Sequence, residues 1–406
     1  MNLNLLFFAL MIACISILSG CKNRFAEEKQ LFKQFIVERQ QWNELSDRQG
    51  EFDPVPGSQK KLQIGIIESG VWTGFVYYFE AVIHGLSNHG WGKADVLDSL
   101  TSAEKRTILS MINALEKKGW SQNISFSPES YQLMSIKNRD ETVRRVVSRN
   151  ELDMIWGFGT WAGKGLRDLP DDFTTPCVIM AVSSPIKSGI LDNTLDSGRN
   201  NITGRVDLNR FKRQIRFFHD MTGFLSLGVV YAGEDPTAAL YSAIPDIHDV
   251  RKTGGKNSFN LILSTDVPAS GDMKIINQKF IENVSLIIDD IDSFYLTLQN
   301  GINKETLPKL VKIFNDHKIP TFYMGGSDFV RKGVLLSFTN DYLSIGDFNS
   351  KKIIKIFKGA KPRDLELVFE SSPRIAINLE TAEIVGYEPP VDVLKIADEI
   401  FAKIEN

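Results

Sequence analysis

The sequence predicts an α/β protein built as two doubly wound lobes, each a parallel sheet covered by helices. Three observations predict it. From residue 62 onward, short apolar runs of strand length alternate with amphipathic segments of helix length, the pattern of parallel strands joined through helices. The runs fall into two groups, one on each side of about Thr203. The chain has 406 residues, 43% of them hydrophobic, which is enough to bury two cores rather than one.

The first 61 residues stand outside this pattern. From Leu5 to Leu18 almost every side chain is apolar and none is charged. That run is shorter than the roughly 20 residues a membrane-spanning helix needs. It has the length of a signal-peptide core, and the small residues Ser19 and Gly20 follow it. "LSGC" at Leu18 to Cys21 resembles the bacterial lipobox, which implies cleavage before Cys21 and a lipid on its sulfur, although no Lys or Arg precedes the apolar run. Residues 1–20 are thus expected to be a signal peptide. Residues 21–61 are expected to hold the lipid-anchor cysteine, an amphipathic helix and a linker. The helix would run from Phe25 to Leu45, with Phe32, Phe35, Ile36 and Trp42 on helical spacing. The linker "GEFDPVPGSQKK" carries Gly and Pro. No later apolar stretch reaches membrane-spanning length. Cys14 would leave with the signal peptide, so Cys177 in "PCVIMAV" would have no disulfide partner within the mature chain and counts as a small buried hydrophobe.

In the body, strands are expected at Leu62–Glu68, Leu152–Gly159 and Pro176–Val182. A second group is expected at Leu225–Ala232, Phe259–Thr265, Val284–Asp289 and Ile319–Met324. "NRFKRQIRFFHDMTG" and "TLPKLVKIFNDHK" read as helices between them. In such sheets a ligand lies outside the carboxyl ends of the strands. The residues there include Glu68, Ser69, Trp72, Gly159, Thr160, Trp161, Ser183, Ser184 and Ser327, with Asp290 added if Val284–Asp289 is a strand. Hydroxyls and helix-start amides suit a carboxylate, while Asp or Glu suits an ammonium, so the set fits a zwitterion such as an amino acid. Trp72 and Trp161 are placed to pack on an apolar or aromatic ligand side chain, with plain core packing as the alternative for each.

Several function classes are excluded or weakened. The net charge of −3 argues against nucleic acid as a partner. In "WGFGTWAG", Gly157, Gly159 and Ala162 fit the G-x-G-x-x-G/A turn of dinucleotide-dependent enzymes. The next strand ends in Val182-Ser183-Ser184, however, with no carboxylate for a ribose. There is no G-x-S-x-G elbow and no phosphate loop, and the five histidines show no metal-ligand spacing. No cofactor, no metal and no catalytic activity are therefore expected. A nucleotide-cofactor enzyme using the "GFGTWA" turn remains an alternative, as does a ligand-sensing lipoprotein not coupled to transport.

Most of the chain from Leu62 to the C-terminus resembles a known family, and the second half carries the specific motifs. "NNITGRVDLNRFKRQIRFF", "LGVVYAGED", "IPTFYMGGSDFVRKGVLLSFTNDYLSIGDFNSKKIIKIFKGAKPRDL" and "IAINLETAEIVGYEPPVDVLKIADEI" follow one another as in the tryptophan/tyrosine-type substrate-binding lipoproteins of ABC transporters. The resemblance implies the type I periplasmic-binding fold. Lobe one would hold residues 62–204 plus 342–361, and lobe two residues 205–341 plus 362–406. It implies a small solute, an amino acid and possibly an aromatic one, captured between the lobes outside the cytoplasm and passed to an ABC permease and its ATPase. Asp341 would sit at the hinge facing the cleft and take the ammonium, with a turn or cap carboxylate as the alternative reading. Thr160, Ser183 and Ser184 would take the carboxylate. Three stretches depart from the pattern: a longer segment between Val82 and Leu152 containing "TSAEKRTILSMINALEKKGW", Arg205 in "TGRVD", and the loop "ESGVWTGFVYYFE".

Overall fold

The computed structural model describes residues 51–54, 60–70, 72–134, 138–149, 151–235, 237–255 and 258–405. The expected signal peptide, Cys21 and the Phe25–Leu45 helix lie outside the described residues. The chain from Phe52 to Asn406 holds two parallel-dominated sheets.

The first sheet contains β1 (Leu62–Glu68), β2 (Ile124–Leu133), β3 (Met154–Phe158), β4 (Cys177–Met180) and β5 (Ile202–Gly204), in the order β2-β1-β3-β4-β5. All its pairings are parallel. Ile64 and Ile66 of β1 enter one core with α1 (Thr73–Asn88), α2 (Ala94–Asp98) and α3 (Ile108–Lys117). Ile67 enters the other with α4 (Arg139–Val147) and α5 (Thr160–Arg167). Burial on both faces is why β1 reads as an unbroken apolar run rather than an alternating one. The longer segment after Val82 supplies both α3 and the edge strand β2. β2 carries Pro128 and breaks register against β1 between Ile64 and Ile66, as edge strands tolerate.

The second sheet has the order β12-β11-β10-β9-β8-β6-β7. Its elements are α6 (Arg210–Thr222), β6 (Ser226–Val230), α7 (Ala238–Tyr241), α8 (Ile244–Thr253), β7 (Asn260–Ser264), α9 (Met273–Ile287), β8 (Ser293–Leu296), α10 (Leu307–Asp316), β9 (Thr321–Tyr323), α11 (Asp328–Arg331) and β10 (Leu336–Asn340). After α12 (Tyr342–Phe357) come β11 (Pro373–Asn378), α13 (Leu379–Val385), α14 (Val391–Ile396) and β12 (Glu399–Phe401). Among the described residues of this sheet, only β10 and β11 pair antiparallel. Apolar side chains of α6 and α8 fill one face, and those of α9 and α10 the other.

One strand expectation is corrected. Val284–Asp289 is the end of α9 and a 3-10 turn at Ile288–Asp290, not a strand. Ile276, Phe280, Val284 and Ile287 are buried at steps of four, four and three, so the apolar run continues a helix face. The strand follows it, at Ser293–Leu296.

The chain crosses between the sheets three times. It leaves the first after Gly204, and α12 returns after Asn340 to pack in the first core, where Ile345, Ile353 and Ile354 are buried. It leaves again after Gly359 toward β11. The first and third crossings run side by side: Val206 N–H donates to Leu367 O at 2.7 Å and Phe369 N–H to Val206 O at 3.0 Å. Arg205 donates to Phe369 O at 3.0 Å, and Asp207 accepts from Arg213 at 3.0 Å. Lys352, on α12, is 4% exposed and donates to Gly204 O at 2.5 Å and Thr203 Oγ1 at 3.3 Å.

Candidate functional site

A doubly wound sheet opens a crevice where successive connections leave in opposite directions. In the first sheet that point lies between β1 and β3, since β2 pairs on the other side of β1. In the second it lies between β6 and β8. Contacts between segments that follow strand ends show that these carboxyl edges face one another. The hydroxyl of Tyr77, on α1, donates to Asp328 Oδ2 at 2.8 Å. Asn340 Nδ2 donates to the Tyr78 hydroxyl at 3.2 Å. Lys187, in the loop after β4, reaches Asp246 of α8 at 3.1 and 3.2 Å.

At the β1/β3 crevice the backbone is drawn tight. Ser69 N–H donates to Phe158 O and Gly159 N–H to Met180 O, both at 2.9 Å. Gly159 has φ +87°, and a Cβ there would stand 2.6 Å from Phe75 and 2.8 Å from Ser69. Only glycine fits that turn. It leads into α5, whose first turn presents amides; the Ser69 hydroxyl accepts one of them, Ala162 N–H, at 2.7 Å. Thr160 is the first residue of that helix. Glu68 ends β1 and is buried, and Tyr131 of β2 donates to its Oε2 at 2.6 Å. Burial raises the Glu68 carboxyl to about 7, the Tyr131 hydrogen bond opposing the shift. Trp72 meets Phe75 edge-on at 4.9 Å, and Phe75 lies 6.4 Å from Phe158. The fold therefore brings Glu68, Ser69, Trp72, Gly159 and Thr160 to one place.

The remaining sequence candidates separate. Ser183 and Ser184 are half-buried just after β4, beyond Ala181, which holds φ +55°. A left-handed alanine is backbone strain of the kind that collects at functional edges. Ser327 is half-buried beside Asp328, so it stands near the Tyr77 contact. Asp341 caps α12, accepting from Leu343 N–H at 3.1 Å and Ser344 N–H at 3.4 Å, so it is at least a cap carboxylate. Trp161 belongs to the core on the opposite face of the sheet from Trp72, with Arg139 5.8 Å and Lys164 5.9 Å from its ring. Asp290 is corrected: it is exposed and precedes β8, at the amino end of the strand, so it is away from the crevice.

Sequence reading missed the residues that join the edges. Tyr342 packs against Tyr77 at 5.7 Å and Tyr78 at 5.1 Å, a tyrosine cluster at the second crossing. Arg210 donates to Met324 O at 3.5 Å, and its buried Nε has no hydrogen-bond partner. Gln299 bridges the second crevice, accepting from Ala232 N–H at 3.1 Å and donating to Ser242 Oγ at 2.7 Å. The adjacent tyrosines at the start of the first helix were the visible signal. Gly157 packs under α5, where a Cβ would stand 2.9 Å from Leu166, so it is a helix-packing glycine. Cys177 is buried, which pushes its thiol up to about 12. Among the described residues no group of three His, Cys, Asp or Glu is placed to hold a metal ion.

The family model described as "ABC transporter substrate binding protein" matches residues 105–401. The chain belongs to this family. Solved structures share its type I periplasmic-binding fold. One is the ABC domain in complex with L-Trp from Streptococcus pneumonia, 19% identical, TM-score 0.62, covering 84% of this chain and 100% of that one. A conserved domain protein from Vibrio cholerae O1 biovar El Tor is 19% identical with TM-score 0.60 and the same coverage. A ligand-free, open substrate binding protein with adhesive properties from Clostridium difficile is 18% identical with TM-score 0.55, again covering 84% and 100%. None of the curated protein sequences compared with the chain matches it. In this substrate-binding protein the crevice between the two sheets is the candidate solute site.

Proposed function

We infer that this protein captures a small solute between its two lobes outside the cytoplasm and delivers it to an ABC permease driven by an ATPase. The solute is an amino acid, with an aromatic one favoured. One observation carries the reading: the switch point of the first sheet gathers a buried carboxyl, helix-start amides and aromatic rings, and faces the carboxyl edge of the second. Glu68 suits an ammonium, the first turn of α5 with Thr160 suits a carboxylate, and Trp72 supplies an apolar wall. Asp341, Ser183, Ser184 and Ser327 line the approach in this reading. The L-Trp found in the Streptococcus structure is in keeping with an aromatic cargo. Residues 62–204 with 342–361, and 205–341 with 362–406, are the proposed moving lobes. Among the described residues no helix is long and apolar enough to cross a membrane. Attachment through a lipid on Cys21 is proposed from "LSGC"; palmitate labelling of the Cys21→Ser chain tests it.

Solute capture is tested by a thermal-shift screen against the common amino acids, nucleosides and nicotinamide cofactors. A saturable rise in Tm with one amino acid is expected, because a ligand of the native state stabilises by RT ln(1 + [L]/Kd). A rise with a nicotinamide cofactor instead would return the "GFGTWA" turn to dinucleotide binding and overturn the reading.

A further inference from the structure

Among the described residues, Glu68 is enclosed by neighbours but has no counter-charge. Its side chain is 4% exposed at the last position of β1, beside Ser69 and the Gly159 turn. Tyr131 gives it one hydrogen bond, and a carboxylate has room for about four. Among the described residues, the elements packed around it are otherwise neutral there. β3 ends in Phe158, and the start of α1 brings Trp72 and Phe75. The titratable groups of α1 are engaged elsewhere or distant: Tyr77 bonds Asp328, Tyr78 bonds Asn340, Glu80 pairs with Lys105, and His84 stands about three turns along the helix. Arg139 of α4 and Lys164 of α5 cover Trp161 on the opposite face. Among the described residues no Lys, Arg or His stands within ion-pair distance of Glu68.

A glutamine would accept the Tyr131 hydrogen bond equally well. What a carboxyl adds is the capacity for charge, and burial withholds that charge until a cation arrives. We propose that Glu68 is a proton-linked cation receptor: the captured solute carries a primary amine, and each solute entering a protonated site forms an ammonium–carboxylate hydrogen bond and sends the Glu68 proton to solvent. This deepens the solute-capture reading and rests on it. With the empty-site carboxyl at about 7, capture at pH 7 should release about half a proton per solute, and affinity should fall about tenfold per pH unit well below that point.

The test is isothermal calorimetry on the full chain in mild detergent. The probes are the common L-amino acids, with tryptophan compared with its amine-free counterpart 3-indolepropionate and its carboxyl-free counterpart tryptamine, in two buffers of different ionisation enthalpy at pH 7. The expected result is binding by amine-bearing probes alone, with buffer-dependent heat that Glu68→Gln abolishes along with at least tenfold in affinity. Tyr131→Phe removes the hydrogen bond that favours the ionised form, so it should bind at high pH with its pH midpoint moved upward. Binding of an amine with equal affinity by wild type and Glu68→Gln, without proton release, overturns the receptor and leaves solute capture standing. Binding of an amine-free probe does the same. No binding by any probe overturns both.

Discussion

Lys352 is a buried cation among neighbours that look like it in the sequence. "NSKKIIKIF" offers Lys351, Lys352 and Lys355, of which Lys351 pairs with Asp347 at 2.7 Å, Lys355 is exposed and Lys352 is nearly fully enclosed. Burial lowers the Lys352 ammonium from 10.5 to about 7, with Arg205 pushing the same way and Glu366 opposing. Between those two values the unfolded chain holds more protons than the folded one, so stability should rise with pH from about 7 toward 10.5. Lys352→Met should erase that rise. Urea denaturation at pH 7 and pH 9.5 would show it, and an unchanged pH slope in the variant would exclude the buried charge as its source. Met also leaves Gly204 O without its donor, so a loss of about 1–3 kcal/mol is expected at the alkaline end. At this scale the sequence is partly legible. Glu68, Ser69 and Thr160 can be placed because strand and helix ends are visible in an apolar pattern. Tyr131, 63 positions from Glu68, and the burial of Lys352 depend on chain crossings that no local pattern encodes.

Elements are more legible than residues, for reasons visible in the failures. β1, α6 and α10 could be placed because each carries a long, uninterrupted period or run. The end of α9 misled because Val284, Ile287 and Ile288 are both the last turn of a helix face and an apolar cluster of strand length. β10 is short and paired on both sides, and its alternation runs only from Leu336 to Thr339 before Asn340 breaks it, so little marks it. The packing of α12 on α1 was likewise not legible as a contact, because Gly346 and Gly85 look like ordinary helix glycines. A Cβ on Gly346 would lie 2.3 Å from the Ala81 carbonyl, and one on Gly85 would lie 2.5 Å from Ser350 Oγ. The Gly346 approach is backbone-limited, so Gly346→Val should force the two helices apart and cost about 3 kcal/mol or more. A fall in Tm of several degrees is the expected readout, and an unchanged Tm would mean that the helices separate freely. Because α12 follows the second crossing, the same variant should loosen the first lobe more than the second in amide hydrogen exchange.

At the scale of the whole molecule, the two lobes are held together by crossings on one side and by side-chain latches across the crevice. Tyr77–Asp328 joins α1 to the start of α11 across 251 positions, and Lys187–Asp246 joins the β4 loop to α8. The latches differ in kind. Tyr77 with Asp328 is a partly exposed hydrogen bond, worth about 1 kcal/mol. The Asp246 side chain is 7% exposed with this latch made, and removing Lys187 would leave its carboxylate enclosed without a cation. Opening the lobes would return Asp246 to water, so the loss of Lys187 should favour the open form more than the loss of the Tyr77 hydroxyl does. The prediction for Lys187→Met is a larger radius of gyration without solute, a solute-driven return to the compact value, and weaker affinity because closure no longer makes the latch. Tyr77→Phe should shift the same quantities in the same direction by less. Small-angle scattering of both variants with and without the solute found by the screen measures this. If Lys187→Met scatters as wild type in both states, the latch contributes nothing to closure and the crossings alone set the distance between the lobes.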